Sequence, residues 1–133
     1  EKRYRALCAT LGCSQRVHFF GIQNQTLAFY QMADALLLPT LYDPFPNVIL
    51  EAMACGLPVI TTPTCGGAEF ITQGVNGYVC DALDIPALQQ AVMALPHQAL
   101  GSLQGEKARE RVLDSTPQRL SSQLISLYQE LLG

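Results

Sequence analysis

The stretch 35-ALLLPTLYDPFPNVILEAMACGLPVITT-62 sets the architecture. It opens on a short apolar run, Ala35 to Leu38, ended by Pro39, which has no N–H to continue a central strand. A loop rich in proline and aromatics follows, Thr40 to Pro46. Asn47 then reads as the cap of a helix running to Cys55, with Gly56 as its C-terminal stop. Val59 to Thr62 is a second apolar run. Strand, loop, helix and strand in this order predict a parallel unit with a helical crossover.

The same alternation extends both ways. Upstream, Tyr4, Leu7, Cys8 and Leu11 fall at helical spacing before Gly12. Val17 to Phe20 reads as a short buried strand ending at Gly21. Asn24 is placed to cap a helix whose inner face is Leu27, Tyr30 and Ala33. Downstream, a short helix is predicted around Ala68 to Ile71, and the Asn76-Gly77 turn leads into a fourth strand, Tyr78 to Cys80. Asp84 caps the next helix, with Pro86 in its first turn and Ile85, Leu88, Val92 and Leu95 as its apolar stripe. A helix over Gln104 to Leu113 and a closing helix over 117–133 complete the chain. The latter carries Leu120, Leu124, Leu127 and Leu131 on one face, which reads as a docking face.

The expected fold is α/β, a Rossmann-like, doubly wound parallel sheet with helices on both faces, forming one domain over 1–133. In such sheets ligands bind beyond the carboxyl ends of the strands. Those ends are Gly21 to Asn24, Pro39 to Asn47, Pro63 to Gly67 and the stretch after Cys80.

Composition narrows the function classes. The 133 residues are 49% hydrophobic and 14% charged, the balance of a folded domain. The net charge of −3 and the lack of a Lys/Arg block argue against nucleic acid or an anionic membrane as partner of this segment. The five cysteines are odd in number and show no Cys-x-x-Cys spacing, so free thiols in a reducing cytosol are expected rather than disulfides or zinc. No apolar run approaches the length of a membrane span. The chain opens on Glu1 in a helical pattern, without Met or signal peptide, so further sequence upstream is expected.

Chemistry concentrates between Asp43 and Glu51. Asp43 sits in the loop at a strand's carboxyl end, and Glu51 lies one turn into the following helix. Between them the helix start offers free N–H groups of Asn47, Val48 or Ile49 and a partial positive charge, which suit a phosphate. The carboxylates suit sugar hydroxyls. From spacing alone, a capped helix with a solvated Glu and a turn-forming Asp fits equally well.

The sequence from Asp43 to Glu51, continuing to Ile60, resembles the signature of retaining nucleotide-sugar glycosyltransferases of family 4, in which seven residues separate two acidic ones. Arg16 to Gly21, Ala33 to Pro39, Cys65 to Glu69 and Gly74 to Gly77 resemble further family segments in the right order. The resemblance implies the C-terminal, donor-binding half of a GT-B fold, two Rossmann-like domains facing a cleft, incomplete here at its N-terminus. It implies that Glu51 binds the donor ribose and that Asp43 contacts the transferred sugar as the catalytic carboxylate. Phe45, Pro46, Asn47 and Val48 would line the sugar and phosphate pocket, and Gly21, Ile22 and Gln23 would lie near the base. Asp43 departs from the usual Glu by one methylene.

The resemblance further implies no metal and no cofactor beyond the nucleoside-diphosphate sugar, a UDP-sugar being the expected donor. Cys65 to Glu69 is shorter than in many members and is similar to lipopolysaccharide core glucosyltransferases, which points to a surface glycan or glycolipid acceptor held by an N-terminal domain. That domain would also supply any peripheral membrane association, in the cytoplasm or at the cytoplasmic face of the inner membrane. An Arg and a Lys that hold the diphosphate would lie upstream; Lys2, Arg3 and Arg5 do not match them. The fragment alone is expected to be inactive. Rival readings are a sugar-nucleotide epimerase on the same fold and a binding module that lost catalysis. His18 and His97 have no partner at metal spacing, and Ser14, Ser115, Ser121 and Ser122 stand in no nucleophile-elbow context.

Overall fold

The computed structural model describes residues 1–132; Gly133, the end of the expected closing helix, lies outside them. Six helices are present among these residues: α1 Lys2–Thr10, α2 Leu27–Met32, α3 Asn47–Ala54, α4 Ile85–Met93, α5 Leu103–Val112 and α6 Pro117–Leu132. Three strands, β1 Leu36–Leu37, β2 Val59–Thr61 and β3 Gly77–Val79, pair in that order, all parallel. Helices flank the sheet on both sides.

The core forms where α3 crosses from β1 to β2. Ile49, Ala52 and Met53 recur at i, i+3 and i+4 and are fully buried. They meet Val59 of the central strand and Ala108 and Val112 of α5. Each large member, such as Ile49 or Met53, contributes about 2 kcal/mol of burial. Every residue of β2 is buried, as a parallel strand covered on both faces must be. Its Thr61 hydroxyl is satisfied by donating to the Leu38 carbonyl at 3.1 Å.

α4 and α5 begin on side-chain caps. Asp84 accepts from the Ala87 N–H at 3.0 Å, and Ser102 accepts from the Gly105 N–H at 3.0 Å. The first was expected; the second was not read from the sequence. Buried Asn76 ties the turn before β3, accepting from the Thr72 N–H at 2.7 Å and donating to the Phe70 carbonyl at 3.0 Å.

Several expectations need correction. Val17 to Phe20 form no strand among the described residues. With no ladder partner, the segment packs through its rings: Phe20 meets Phe29 edge-on at 5.0 Å, and Arg5 lies 4.7 Å over Phe19. A short apolar run without alternation does not distinguish a buried strand from such a packed loop. Asn24 does not cap α2; Thr26 does, through its carbonyl alone. Leu27 is exposed, and Tyr30 and Ala33 carry the inward contacts. The predicted helix at 68–71 is a 3₁₀ turn, Gly66–Phe70. The stripe of α4 is inward only in part: Ile85 and Val92 are exposed and small Ala91 is buried. The leucines of α6 are all substantially exposed.

Gly77 is fixed by close approach. A Cβ there would run into the Val59 carbonyl oxygen, which belongs to the neighbouring strand. We expect Gly77→Ala to cost about 3 kcal/mol, because backbone must move to admit the methyl. At Gly74 nothing lies within 4 Å of an added Cβ, so Gly74→Ala carries only its backbone cost at φ +74°, about 1–2 kcal/mol. Denaturant unfolding of both variants checks the order; equal losses would show that β2 and β3 part without penalty.

Candidate functional site

The site is built around the start of α3. Pro46 is the N-cap, with extended backbone and no side chain to cap with. Asn47, read from the sequence as the cap, is instead the first helical residue and makes no capping bond. The Ile49 N–H donates to the Pro46 carbonyl at 3.1 Å. That removes Ile49 from the three donors expected. Among the described residues no acceptor meets the N–H groups of Asn47 and Val48, so these two remain for an anion.

Asp43 is placed by its backbone. Its N–H donates to the Thr64 carbonyl at 3.3 Å, and its carbonyl accepts from the Gly66 N–H at 2.9 Å. The Thr62 hydroxyl donates to the Thr40 carbonyl at 2.7 Å. The loop from 40 to 46 is thus strapped to the loop that follows β2. Gly66 allows this: a Cβ there would overlap the Pro44 carbonyl oxygen. Asp43 is half-buried in a hollow of about 410 Å³ shared with Tyr42, Pro63, Thr64 and Cys65.

Glu51 lies four residues beyond Asn47, on nearly the same face of α3 and away from the buried Ile49, Ala52 and Met53. Its Oε2 accepts from the Tyr30 hydroxyl at 2.8 Å. Burial, then the hydrogen bond to Glu51 and the nearby carboxylate charge, with Cys55 adding, push the Tyr30 phenol up to about 12. The phenol is therefore protonated, and a donor, at any physiological pH. Tyr30 escaped notice because helical spacing accounted for it as an inward residue. The usable signal was its type, since a phenol turned toward a core needs a polar partner.

A larger cavity, about 700 Å³, opens on the outer face of α3. Phe45, Asn47 and Leu50 form one wall; Glu69 and Phe70 form another; Arg111, Asp114 to Thr116, and Arg119, Leu120 and Gln123 of α6 close it. Phe45 stacks edge-on against Phe70 at 5.8 Å. Arg111 sits 5.1 Å over the Phe70 ring and donates to the Glu69 carbonyl at 3.3 Å. Arg119 pairs with Asp114 at 2.5 Å, an exposed contact of little energetic weight. Neither arginine was singled out from the sequence, because residues this far along the chain carry no motif; Ser115, set aside there as a nucleophile, lines the same wall.

The structure brings Phe45 and Asn47 to one cavity, Asp43 to a separate hollow, and Glu51 to Tyr30. Gly21, Ile22 and Gln23 are exposed, and the Gln23 amide donates to the Phe20 carbonyl. Burial, with Asp84 adding, raises the Cys80 thiol, the opposite of an activated nucleophile. Among the described residues no three His, Cys, Asp or Glu side chains gather as a metal site would require, and no helix is long and apolar enough to cross a membrane.

Comparison with known proteins adds identity to this geometry. Residues 1–112 match the family described as glycosyl transferases group 1. The chain is 35% identical over 128 residues to N-acetyl-alpha-D-glucosaminyl L-malate synthase of Bacillus anthracis, covering 95% of this chain and 34% of that protein. Lipopolysaccharide glucosyltransferase WaaG of Escherichia coli (strain K12) is 38% identical over 78 residues, 59% of this chain and 21% of WaaG. A WaaG crystal structure superposes with a TM-score of 0.67 at 32% identity, over 87% of this chain and 32% of that one. Anabaena HepE in complex with UDP-glucose gives a TM-score of 0.64 at 25% identity, over 94% of this chain and 36% of HepE. The structural neighbours are GT-B glycosyltransferases, which agrees with the parallel α/β class expected. The chain spans about a third of the length of the Bacillus anthracis synthase. It belongs to the glycosyl transferases group 1 family.

Proposed function

We propose that this chain is the donor-binding, C-terminal part of a retaining, family 4 glycosyltransferase that moves a sugar from a nucleoside diphosphate to a hydroxyl acceptor. The observation that carries this is the division of α3. Its inner face is locked into the core, while its open N–H groups at Asn47 and Val48 and the carboxylate of Glu51 remain on the solvent side. The free N–H groups meet the diphosphate and the helix start stabilises its growing charge as the bond to the sugar breaks. Glu51 accepts from the ribose hydroxyls, and Asp43, held by its strapped loop, accepts from the transferred sugar. Phe45 and Pro46 border the sugar, and Gly21, Ile22 and Gln23 lie toward the base. No metal or cofactor takes part in this reading.

The solved HepE complex holds UDP-glucose, which favours UDP as the carrier here. The WaaG likeness and the short Cys65 to Glu69 turn favour a lipopolysaccharide or other surface-glycan acceptor, bound by an N-terminal domain that also makes any peripheral contact with the inner membrane from the cytoplasm. The family match does not favour an epimerase or a binding module.

Calorimetry of the full-length protein tests the donor site. UDP should bind, and Glu51→Ala should weaken it about 10- to 100-fold, the worth of a charge-assisted hydrogen bond. No heat with UDP, or an unchanged affinity in the variant, would overturn the reading. Asp43→Asn should leave UDP affinity in place and lower kcat on the order of 100-fold, as loss of one transition-state contact does. A matched loss in affinity would instead place Asp43 at the nucleotide. The anomeric configuration of the product, read by NMR, should match that of the donor.

Residues 1–133 alone, incubated with UDP-glucose and lipopolysaccharide core acceptors, should transfer no sugar, since the proposed Arg and Lys for the diphosphate lie outside them. Measurable transfer would show that the open N–H groups of α3 suffice.

A further inference from the structure

We propose that Tyr30 is a positioning residue, fixing the Glu51 carboxylate so that one oxygen faces the ribose of the donor; this rests on the reading of Glu51 given above. Tyr30 and Glu51 lie on different helices, 21 residues apart in sequence. The Tyr30 ring packs against the core that α3 shares with β2 and α5, so the phenol is held from behind. Its hydroxyl then reaches Oε2 of Glu51 at 2.8 Å.

A glutamate on an exposed helix face has three soft torsions, and ordering it costs up to about 2 kcal/mol in rotamer entropy. Glu51 has no Lys or Arg partner among the described residues, so no ion pair orders it. The bond from Tyr30 does so in the free protein, before ligand arrives. It occupies Oε2 and leaves Oε1 with its lone pairs available. A neutral donor also suits the task better than a lysine would. It steers the carboxylate without cancelling the charge that makes it a strong acceptor for the two adjacent hydroxyls of a ribose. The alternative is a plain structural staple between α2 and α3, and the two roles part on ribose discrimination.

The test uses calorimetry on the full-length protein with UDP, ADP and GDP and their 2′,3′-dideoxy counterparts, comparing wild type, Tyr30→Phe and Glu51→Ala. Whichever nucleotide binds tightest should bind at least about 10-fold more tightly than its dideoxy form. Glu51→Ala should erase that preference. Tyr30→Phe keeps the ring and removes only the hydroxyl; it should cut the preference about 3- to 10-fold while leaving dideoxy affinity within about twofold. Its melting temperature should stay within a few degrees of wild type. Preference lost in Glu51→Ala but intact in Tyr30→Phe would overturn the role of Tyr30 and leave that of Glu51 standing. Equal weakening of both nucleotide forms in Tyr30→Phe, or failure of that variant to fold, would show a structural staple and overturn it too. A preference unmoved by Glu51→Ala, or no nucleotide binding by wild type, would overturn the ribose reading and this proposal with it.

Discussion

Everything at the candidate site hangs on the burial of one face of α3. Ile49, Ala52 and Met53 have no exposure, because β2 lies on one side and α5 on the other. A helix pinned this way cannot rotate without opening the core, and packed cores resist even one-methylene changes. The opposite face is therefore held at a fixed orientation. Asn47, Leu50 and Glu51 inherit their directions from residues that never meet solvent. A site on a rigid helix with few adjustable parts is what precise placement of a ligand requires.

The loop carrying Asp43 has no such core of its own. Its position comes from hydrogen bonds to the segment after β2, through Thr40, Asp43 and Gly66. Main-chain atoms supply most of these bonds, so the strapping depends on backbone path more than on side-chain identity.

The βαβ unit at 35–62 was legible because apolar run length, proline placement and the glycine stop at Gly56 all spoke for the same elements. The capped start of α4 at Asp84 was legible for the same reason, since a cap is local chemistry. What failed was non-local. Val17 to Phe20 looks like a buried strand in isolation, and only the absence of a ladder partner makes it a loop of stacked rings. Asn47 has the right type for a cap, yet the backbone switches to helix one residue earlier than its type suggests. The acidic pair was visible as a motif. The partner of Glu51 was not, because a contact across 21 residues leaves no spacing signal.

The Tyr30 contact bears on how the two carboxylates divide their labour. Asp43 is half-buried among backbone straps, with its hollow formed by Tyr42 and the residues after β2. Glu51 is exposed and steered by a phenol that burial and the carboxylate itself keep protonated. A fixed, charged acceptor on a rigid helix discriminates by hydrogen-bond geometry, and it does so equally in the ground and transition states. That is uniform binding, which sets affinity and leaves the barrier where it was. In the proposed reading Asp43, held on its strapped loop, instead meets the sugar as the anomeric carbon leaves the diphosphate. In that reading the same motif thus supplies one group to hold the donor and one for the reaction. Their different supports, a packed helix for Glu51 and a hydrogen-bonded loop for Asp43, are the physical reason the two roles can be separated.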